Sequence, residues 1–257
     1  MADELAKRPE SQLAPAPDYI TAGNAGFENQ QAGDLVFPRA MLMQALSPQV
    51  QNSKFSPGDV VNSITEELIT KADQPRAVVP IKFWHEWIEW GSRDSGGGIL
   101  DRSQDPNGEL AKRCKAGEKI ISMGREVPAI TEYMVFLFQP VDTENPCDAS
   151  KMFCACCART NYKHARKLLT LARLRGNKPL YAGVYNMTPK REQNTKNQSY
   201  YVFTFSNAGW APKEVFQELE VRFQQMSGVN ISSAAPEQGE GEASGGDAAA
   251  AAAETEL

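Results

Sequence analysis

The chain has 257 residues, a formal net charge of −5, and 41% hydrophobic and 9% aromatic residues, which is typical of a globular protein with one large or two small domains. No window approaches the eighteen or so uninterrupted apolar residues of a membrane span, and MADELAKRPESQ lacks the apolar core of a secretory signal. We therefore expect a cytoplasmic protein. The odd number of cysteines, five, argues against a disulfide framework.

The first third of the chain gives weak signals. Residues 1–33 are rich in Pro, Ala, Gly, Gln and Asn without periodicity, which predicts a flexible arm. LVFPRAMLMQALSPQV predicts one short apolar helix, with Pro38 near its first turn and Ser47-Pro48 at its end. SPGDVVNSITEELIT is a turn followed by either a short strand or a short helix.

Three central segments predict strands. AVVPIKFWHEWIEW, from Ala77 to Trp90, also fits a helical stripe, but its β-branched and aromatic residues and the glycines at 96–98 favour a strand. Residues 91–127 are polar and Gly-rich and predict a long loop with one short pairing. TEYMVFLFQPV and SKMFCACCAR follow as two buried strands.

RTNYKHARKLLTLARLRGNKP, residues 159–179, predicts an amphipathic basic helix that ends at Gly176, because Pro179 prevents its continuation. Residues 151–201 carry eleven Lys and Arg against one acid, Glu192, a local net charge of +10 in an acidic protein. Such segregation predicts a surface that binds a polyanion, and a solvated helix face is the alternative.

The last third of the chain completes the predicted domain. PLYAGVYNM and SYYVFTFS predict two strands joined by a basic hairpin loop, TPKREQNTKNQ, and APKEVFQELEVRFQQM predicts a second amphipathic helix. From Gly228 onward there are six acids and no basic residue, so residues 228–257 predict a disordered acidic tail.

This order predicts a β-rich α+β fold. The specific expectation is an OB-like five-stranded barrel with one inserted helix and one C-terminal helix, flanked by disordered termini, and a different α+β sheet is the alternative. The predicted organisation is an N-terminal arm at 1–33, one nucleic-acid-binding domain at 34–227 and the tail at 228–257.

Catalytic motifs are lacking in the sequence. Gly96-Gly97-Gly98 is not followed by Gly-Lys-Ser/Thr, there is no Gly-x-Ser-x-Gly, and the two histidines, His85 and His164, lie far apart. We expect no enzymatic activity and no cofactor. A nuclease or another phosphoryl-transfer enzyme that uses the 91–127 loop is an alternative.

Four of the cysteines fall within eleven residues, at Cys147, Cys154, Cys156 and Cys157. They lack the paired spacing of a structural zinc site, and alternation would place Cys157 on the strand face opposite Cys154 and Cys156. Small apolar residues in a buried strand explain them, so no metal site is predicted.

Single-stranded nucleic acid fits the basic region better, because proteins that hold single strands combine a cationic groove with aromatic rings on which bases stack. Phe203 and Phe205 are expected in the core. The predicted phosphate contacts are Lys163, Arg166, Lys167, Lys190, Arg191 and Lys196, with Arg93 reaching from the loop. The predicted stacking residues are Tyr185, Tyr200 and a tryptophan, Trp84.

PLYAGVYNMTPKREQNTKNQSYYVFTFSNAGW and the acidic C-terminus resemble phage-encoded single-stranded-DNA-binding proteins, and FPRAMLMQALSPQV and EWGSRDSGGG are similar to segments of small phage replication proteins. The resemblance spans roughly residues 34–227. It implies an OB-type barrel that coats replication intermediates and recruits polymerase and helicase through its acidic tail. This tail departs from the pattern, since it lacks a dense Asp run and a terminal aromatic residue.

We therefore expect sequence-tolerant binding of single-stranded DNA in phage DNA replication or recombination, in the host cytoplasm. The acidic tail would dock replication or recombination proteins or inhibit DNA binding. The alternative function is a phage structural or scaffolding protein without catalytic activity.

Overall fold

The computed structural model describes residues 36–227 and 231–233, which form thirteen strands and four α-helices. The strands are β1 (Val36–Phe37), β2 (Ala40–Leu42), β3 (Val60–Asn62), β4 (Leu68–Thr70), β5 (Arg76–Trp90), β6 (Ile99–Ser103), β7 (Lys119–Ser122), β8 (Arg125–Pro128), β9 (Ile130–Pro140), β10 (Phe153–Cys157), β11 (Gly183–Gln193), β12 (Ser199–Trp210) and β13 (Ser232–Ser233). The helices are α1 (Pro48–Gln51), α2 (Glu109–Lys115), α3 (Tyr162–Arg173) and α4 (Lys213–Gln225).

A six-stranded antiparallel sheet forms the centre of the fold, in the order β10-β9-β5-β11-β12, with β6 also pairing with β5. β5 and β9 pair along most of their length. Their apolar runs are continuous because both faces of the sheet are covered. Phe136 and Phe138 lie in the core that includes α3, whereas Val135 and Leu137 lie in the core that includes α4.

The outer edge of β12 is occupied by side-chain amides. Gln44 accepts a hydrogen bond from the amide N–H of Tyr201 at 2.9 Å and donates to the carbonyl of the same residue at 3.0 Å. Asn161, just before α3, accepts from the amide N–H of Phe203 at 2.7 Å. These bonds satisfy backbone groups that would otherwise form an open sheet edge, and they fix the start of α3 against β12.

The first and last described strands lie together. β1 pairs in parallel with β13, so that Val36 lies opposite Ser232. The guanidinium of Arg102 on β6 binds the buried carboxylate of Glu86 at 2.5 and 2.8 Å and also donates to the carbonyl and the hydroxyl of Ser233. Hydrogen bonds from Arg102 therefore hold Ser233 against the body, and the folded part of the chain continues past residue 227.

The strands predicted around β5, β9, β10, β11 and β12 and the helices predicted around α3 and α4 are confirmed, as is the β-rich α+β class. The described residues form an open sheet with helices on both faces and no closed barrel, so the OB-like arrangement is not confirmed. None of the described helices combines the length and apolar character that a membrane span requires. The predicted arm at 1–33 and most of the predicted tail lie outside the described residues.

Two local predictions were wrong. The apolar helix expected at LVFPRAMLMQALSPQV is replaced by β1 and β2, and only residues 48–51 are helical. Pairing of β2 with β3 outweighs helix propensity there. The predicted 91–127 loop contains β6, α2 and the β7–β8 hairpin, which bury Leu110 and Ala111 against Trp87.

The basic hairpin loop is also shorter than predicted, because β11 and β12 stay paired as far as Gln193 and Ser199. Pro189 is tolerated within β11 because its carbonyl points away from β12 and accepts from the amide of Asp73, so its missing N–H removes no bond between these strands. The turn is closed by the side chain of Asn194, which accepts from the amides of Lys196 and Gln198.

Candidate nucleic-acid interface

Helix α3 carries the predicted basic surface. It packs Ala165 and Leu168 against the sheet, and both side chains are fully buried. Helical spacing then places the cationic residues of α3 on the solvent side. We call this surface the basic face; it consists of Lys163, Arg166, Lys167 and Arg173, all of which are exposed.

The cations of this region differ in how far they are already neutralised. Lys163 is paired with Glu192 at 2.8 Å, and Lys190 is paired with Asp73 at 3.0 Å. Within the described residues, by contrast, no ion pair involves Arg166, Lys167 or Arg173. These three side chains therefore carry most of the charge that the basic face offers to an anion.

Glu192 joins the tip of the β11–β12 hairpin to the N-terminal half of α3. Burial opposes ionisation of its carboxyl group, but hydrogen bonding to Lys163, the charge of His164 and a hydrogen bond from Tyr200 outweigh this and lower its pKa. The Tyr200 hydroxyl donates to the carboxylate at 3.2 Å. The structure thus places Tyr200 beside Lys163, as expected if both side chains contact one ligand. The same contacts hold the hairpin beside the helix.

The other hairpin cations are exposed. The Arg191 guanidinium donates to the Ser199 hydroxyl at 2.7 Å, and Lys196 lies in the turn. Glu192 holds the tip of this hairpin against α3, and Lys190, Arg191 and Lys196 are exposed along it.

Two aromatic rings lie near the C-terminal end of α3. The guanidinium of Arg175 lies over the ring of Trp210 at 4.5 Å and over the ring of Tyr185 at 4.9 Å. The same side chain donates to Asn207, which fixes its position. Trp210 is 58% exposed, so much of its ring is available to a ligand. The neighbouring Leu174 is 79% exposed.

Trp210 and Arg175 were not among the predicted site residues. They are 35 positions apart in sequence, and only the packing of α3 against β11 and β12 brings them together. One local signal existed, since Trp210 stands between Gly209 and Pro212, residues that mark the end of a strand.

Three of the predicted contacts lie elsewhere. Tyr185 is fully buried in the core with α3, so its predicted exposed stacking position was wrong; its ring supports Arg175 instead. Trp84 packs in the core on the α4 side of the sheet, opposite α3. Arg93 is exposed in a turn whose backbone is bonded to Ser122 of the β7–β8 hairpin. The structure does not bring Trp84 or Arg93 to the basic face.

A polar cluster lies at the opposite end of α3 from Trp210. His85 Nδ1 is 2.7 Å from Glu132 Oε1, and the Tyr162 hydroxyl donates to the same oxygen at 3.2 Å. The hydrogen bond with His85 lowers the pKa of Glu132 despite partial burial. Burial and the neighbouring carboxylate raise the pKa of Tyr162 to about 12.

The cysteines follow the predicted alternation. Cys154 and Cys156 lie opposite Leu137 and Val135 of β9, and Cys157 lies opposite Met134 in the other core. Burial raises the pKa of Cys154 and Cys157, so these thiols stay protonated at neutral pH. Throughout the described part of the chain, no three His, Cys, Asp or Glu side chains are grouped to hold a metal ion.

The model of a family described as Pam3 phage gp34-like protein matches residues 8–231, which is most of the chain. No curated protein and no solved structure matches the chain.

Proposed function

The chain belongs to the Pam3 phage gp34-like family, and we propose that this phage protein binds single-stranded DNA, in replication or recombination, through the basic face and Trp210. The family match establishes a phage protein and leaves the ligand to be inferred from the surface. The single observation that carries the proposal is the position of an exposed ring, Trp210, stacked on Arg175 just after a helix whose exposed cations Arg166, Lys167 and Arg173 form no ion pair with any described residue.

The arrangement supports a flexible single strand as the ligand. Arg166, Lys167 and Arg173 lie within about two turns of one helix, a spacing at which they would neutralise successive phosphates. Trp210 would stack a base, and base stacking does not depend strongly on sequence because every base has a π face. A rigid duplex keeps its bases stacked on one another and would leave this ring unused.

The acidic tail supports a second part of the proposal. All six acids after Gly228 lie between Glu237 and Glu256. The last described residue is Ser233, and the first of these acids, Glu237, follows it four positions later. They would compete with DNA for the basic face or dock replication or recombination proteins when DNA displaces them.

The direct test is fluorescence anisotropy with labelled oligo-dT, a duplex of equal length and an RNA oligonucleotide. We expect tighter binding of the single strand than of the duplex. For three free cations, the logarithm of the binding constant should fall with the logarithm of salt concentration with a slope of about −2. Equal affinity for single strand and duplex would reject the proposal.

The rival function is a structural or scaffolding component of the phage particle. Co-purification with assembled particles, together with no binding of oligo-dT at low salt, would favour this function. Metal-dependent loss of intact oligonucleotide in the same assay would instead reveal a nuclease.

A further inference from the structure

Three exposed apolar side chains lie at one end of the central sheet. Leu100 on β6 is 66% exposed, Ile121 on β7 is 60% exposed, and Met123, in the turn between β7 and β8, is 66% exposed. We call these three residues the hairpin patch. Exposed apolar side chains that lie together mark surfaces at which a protein binds another molecule.

The turn at residues 91–98 connects the strands that carry the patch. The Leu100 side chain lies 3.4 Å from the position that a Cβ atom would occupy at Gly91. The next residue in this turn, Ser92, donates from its hydroxyl to the carbonyl of Ile121 at 2.9 Å. One short turn therefore contacts both β6 and the β7–β8 hairpin and holds their exposed apolar residues beside each other.

Met123 has a backbone conformation that is costly for its side chain. Met123 and Gly124 form the two-residue turn of the hairpin, and their φ angles are 52° and 70°. Glycine, asparagine and aspartate are the usual residues at the first of these positions, because most other side chains raise its energy. An apolar side chain that is both strained and exposed does not stabilise the fold. This residue is therefore best explained by a contact outside its own chain.

Two opposite charges border the hairpin patch. The carboxylate of Asp94 accepts a hydrogen bond from the amide of Met123 at 2.8 Å, and Arg125 follows the turn directly, opposite Ser122. Both charged side chains are exposed, and neither forms an ion pair with another described residue. A surface that carries one acid and one base beside an apolar centre is complementary to a copy of itself. Under two-fold symmetry, Asp94 of each copy would face Arg125 of the other.

The patch also lies at an uncovered edge of the sheet. β6 pairs with β5 on one side, and no described strand pairs with its other side. The backbone of such an edge strand can pair with another chain. This end is distant from Trp210, because β6 pairs with β5 at Trp90 whereas β11 pairs with it at Val78, and the strand between them spans roughly 40 Å.

We propose that the hairpin patch is the contact between two copies of this chain, related by a two-fold axis. The apolar side chains of the two copies pack at the centre, and the pairs of Asp94 with Arg125 at the rim fix the orientation. A second copy fits better than the acidic tail, because residues 228–257 contain no base that could pair with Asp94. The proposal does not depend on the proposed function.

The test is the mass of the full chain by sedimentation equilibrium, from about 1 to 100 µM, the range expected for a small interface. The mass of the natural protein should rise from the 28.2 kDa of one chain towards twice that value. Met123→Asn combined with Ile121→Thr should raise the dissociation constant of the dimer about tenfold or more, because apolar burial is lost. Ile64→Thr is the matched control, since Ile64 is exposed outside the patch, and it should dimerise like the natural protein.

Two single substitutions separate association from folding. Asparagine is favoured at positive φ, so Met123→Asn should keep or raise the free energy of unfolding while it weakens the dimer. Arg125→Glu would place like charges opposite each other, since the new carboxylate would face Asp94, and should also weaken the dimer.

Three results would overturn the proposal. The natural protein could remain a monomer at 100 µM, or its dimer could be unaffected by the substitutions at Ile121, Met123 and Arg125, which would place the interface elsewhere. Dimerisation that begins only after residues 236–257 are removed would mean that the acidic tail occupies the patch. None of these results would change the expected binding of oligo-dT by the basic face.

Discussion

The hydroxyl of Tyr185 is buried and has no hydrogen-bond partner among the described residues. Burial also raises the pKa of this group. Tyr185→Phe removes an unsatisfied polar atom and keeps the ring under Arg175, so we expect the free energy of unfolding to rise by up to about 1 kcal/mol. Tyr185→Ala should lower it by about 3–5 kcal/mol, because the ring fills the core.

Urea denaturation of the two variants measures these changes. Affinity for oligo-dT should be the same in Tyr185→Phe and in the natural protein, since the hydroxyl does not reach the surface. A loss of stability in Tyr185→Phe would show that the hydroxyl is hydrogen-bonded.

Trp210 is the ring on which binding should depend most. Trp210→Ala should weaken oligo-dT binding by about 5- to 150-fold, which corresponds to the roughly 1–3 kcal/mol of one stacked base. The free energy of unfolding should change little, because the ring is largely exposed. Trp210→Phe keeps an aromatic face and should retain most of the affinity. Equal affinities for all three proteins would remove Trp210 from the site.

At the scale of elements, α3 should supply the salt dependence of binding. Arg166→Gln combined with Lys167→Gln removes two cations that have no acidic partner in the described chain, so the salt slope should become shallower by about 1–2. Lys119→Gln is a matched control, because Lys119 is exposed on the β7–β8 hairpin and paired with Glu126. If the salt slope of binding changes equally in both proteins, binding depends on the net charge of the whole molecule and not on the cations of α3.

The elements that could be predicted are those with strong local periodicity. α3 has an apolar stripe with a glycine at its end, and β9 has a continuous apolar run, so their sequences alone define them. β1 and β2 could not be predicted, because their strand conformation depends on partners distant in sequence, β13 and β3. α2 is short and buries few residues, so its periodicity is weak.

The residues of the candidate site also divide into those that the sequence predicts and those that it does not. The cations of α3 follow from the sequence, because a basic stripe opposite an apolar stripe must face solvent. The ion pairs of the neighbouring hairpin do not follow from the sequence, since the pairing of Lys190 on β11 with Asp73 spans 117 positions. The burial of Tyr185 could not be predicted in the same way, because it depends on the packing of α3 over β11.

At the scale of the whole molecule, the acidic tail should weaken DNA binding at low salt. A chain that ends at Ala235 lacks all six acids but keeps Ile231 and Ser233 in place. It should bind oligo-dT several-fold more tightly at low salt, and the difference should vanish near 1 M salt, where charges are screened within about 3 Å. Unchanged affinity at low salt would mean that the tail does not reach the basic face.

A chain that ends at Ser227 would test a different property. It removes Ile231, which is buried, and the Ser233 groups that bind Arg102. We expect the free energy of unfolding to fall by about 2 kcal/mol, from lost apolar burial and lost hydrogen bonds. Thermal unfolding of the two truncated chains side by side would show whether residues 231–233 stabilise the body; equal melting temperatures would contradict this.

The parallel pairing of β1 with β13 also brings the two ends of the described chain within about 6 Å of each other, given ordinary strand spacing and rise. The two ends of the described backbone are therefore close enough to be joined. A short linker from Ser233 to Val36 would join them, and new termini could be opened at the exposed turn around Thr195–Lys196. Such a circularly permuted protein should keep the native hydrogen-bonding register while its ends emerge beside the cationic surface.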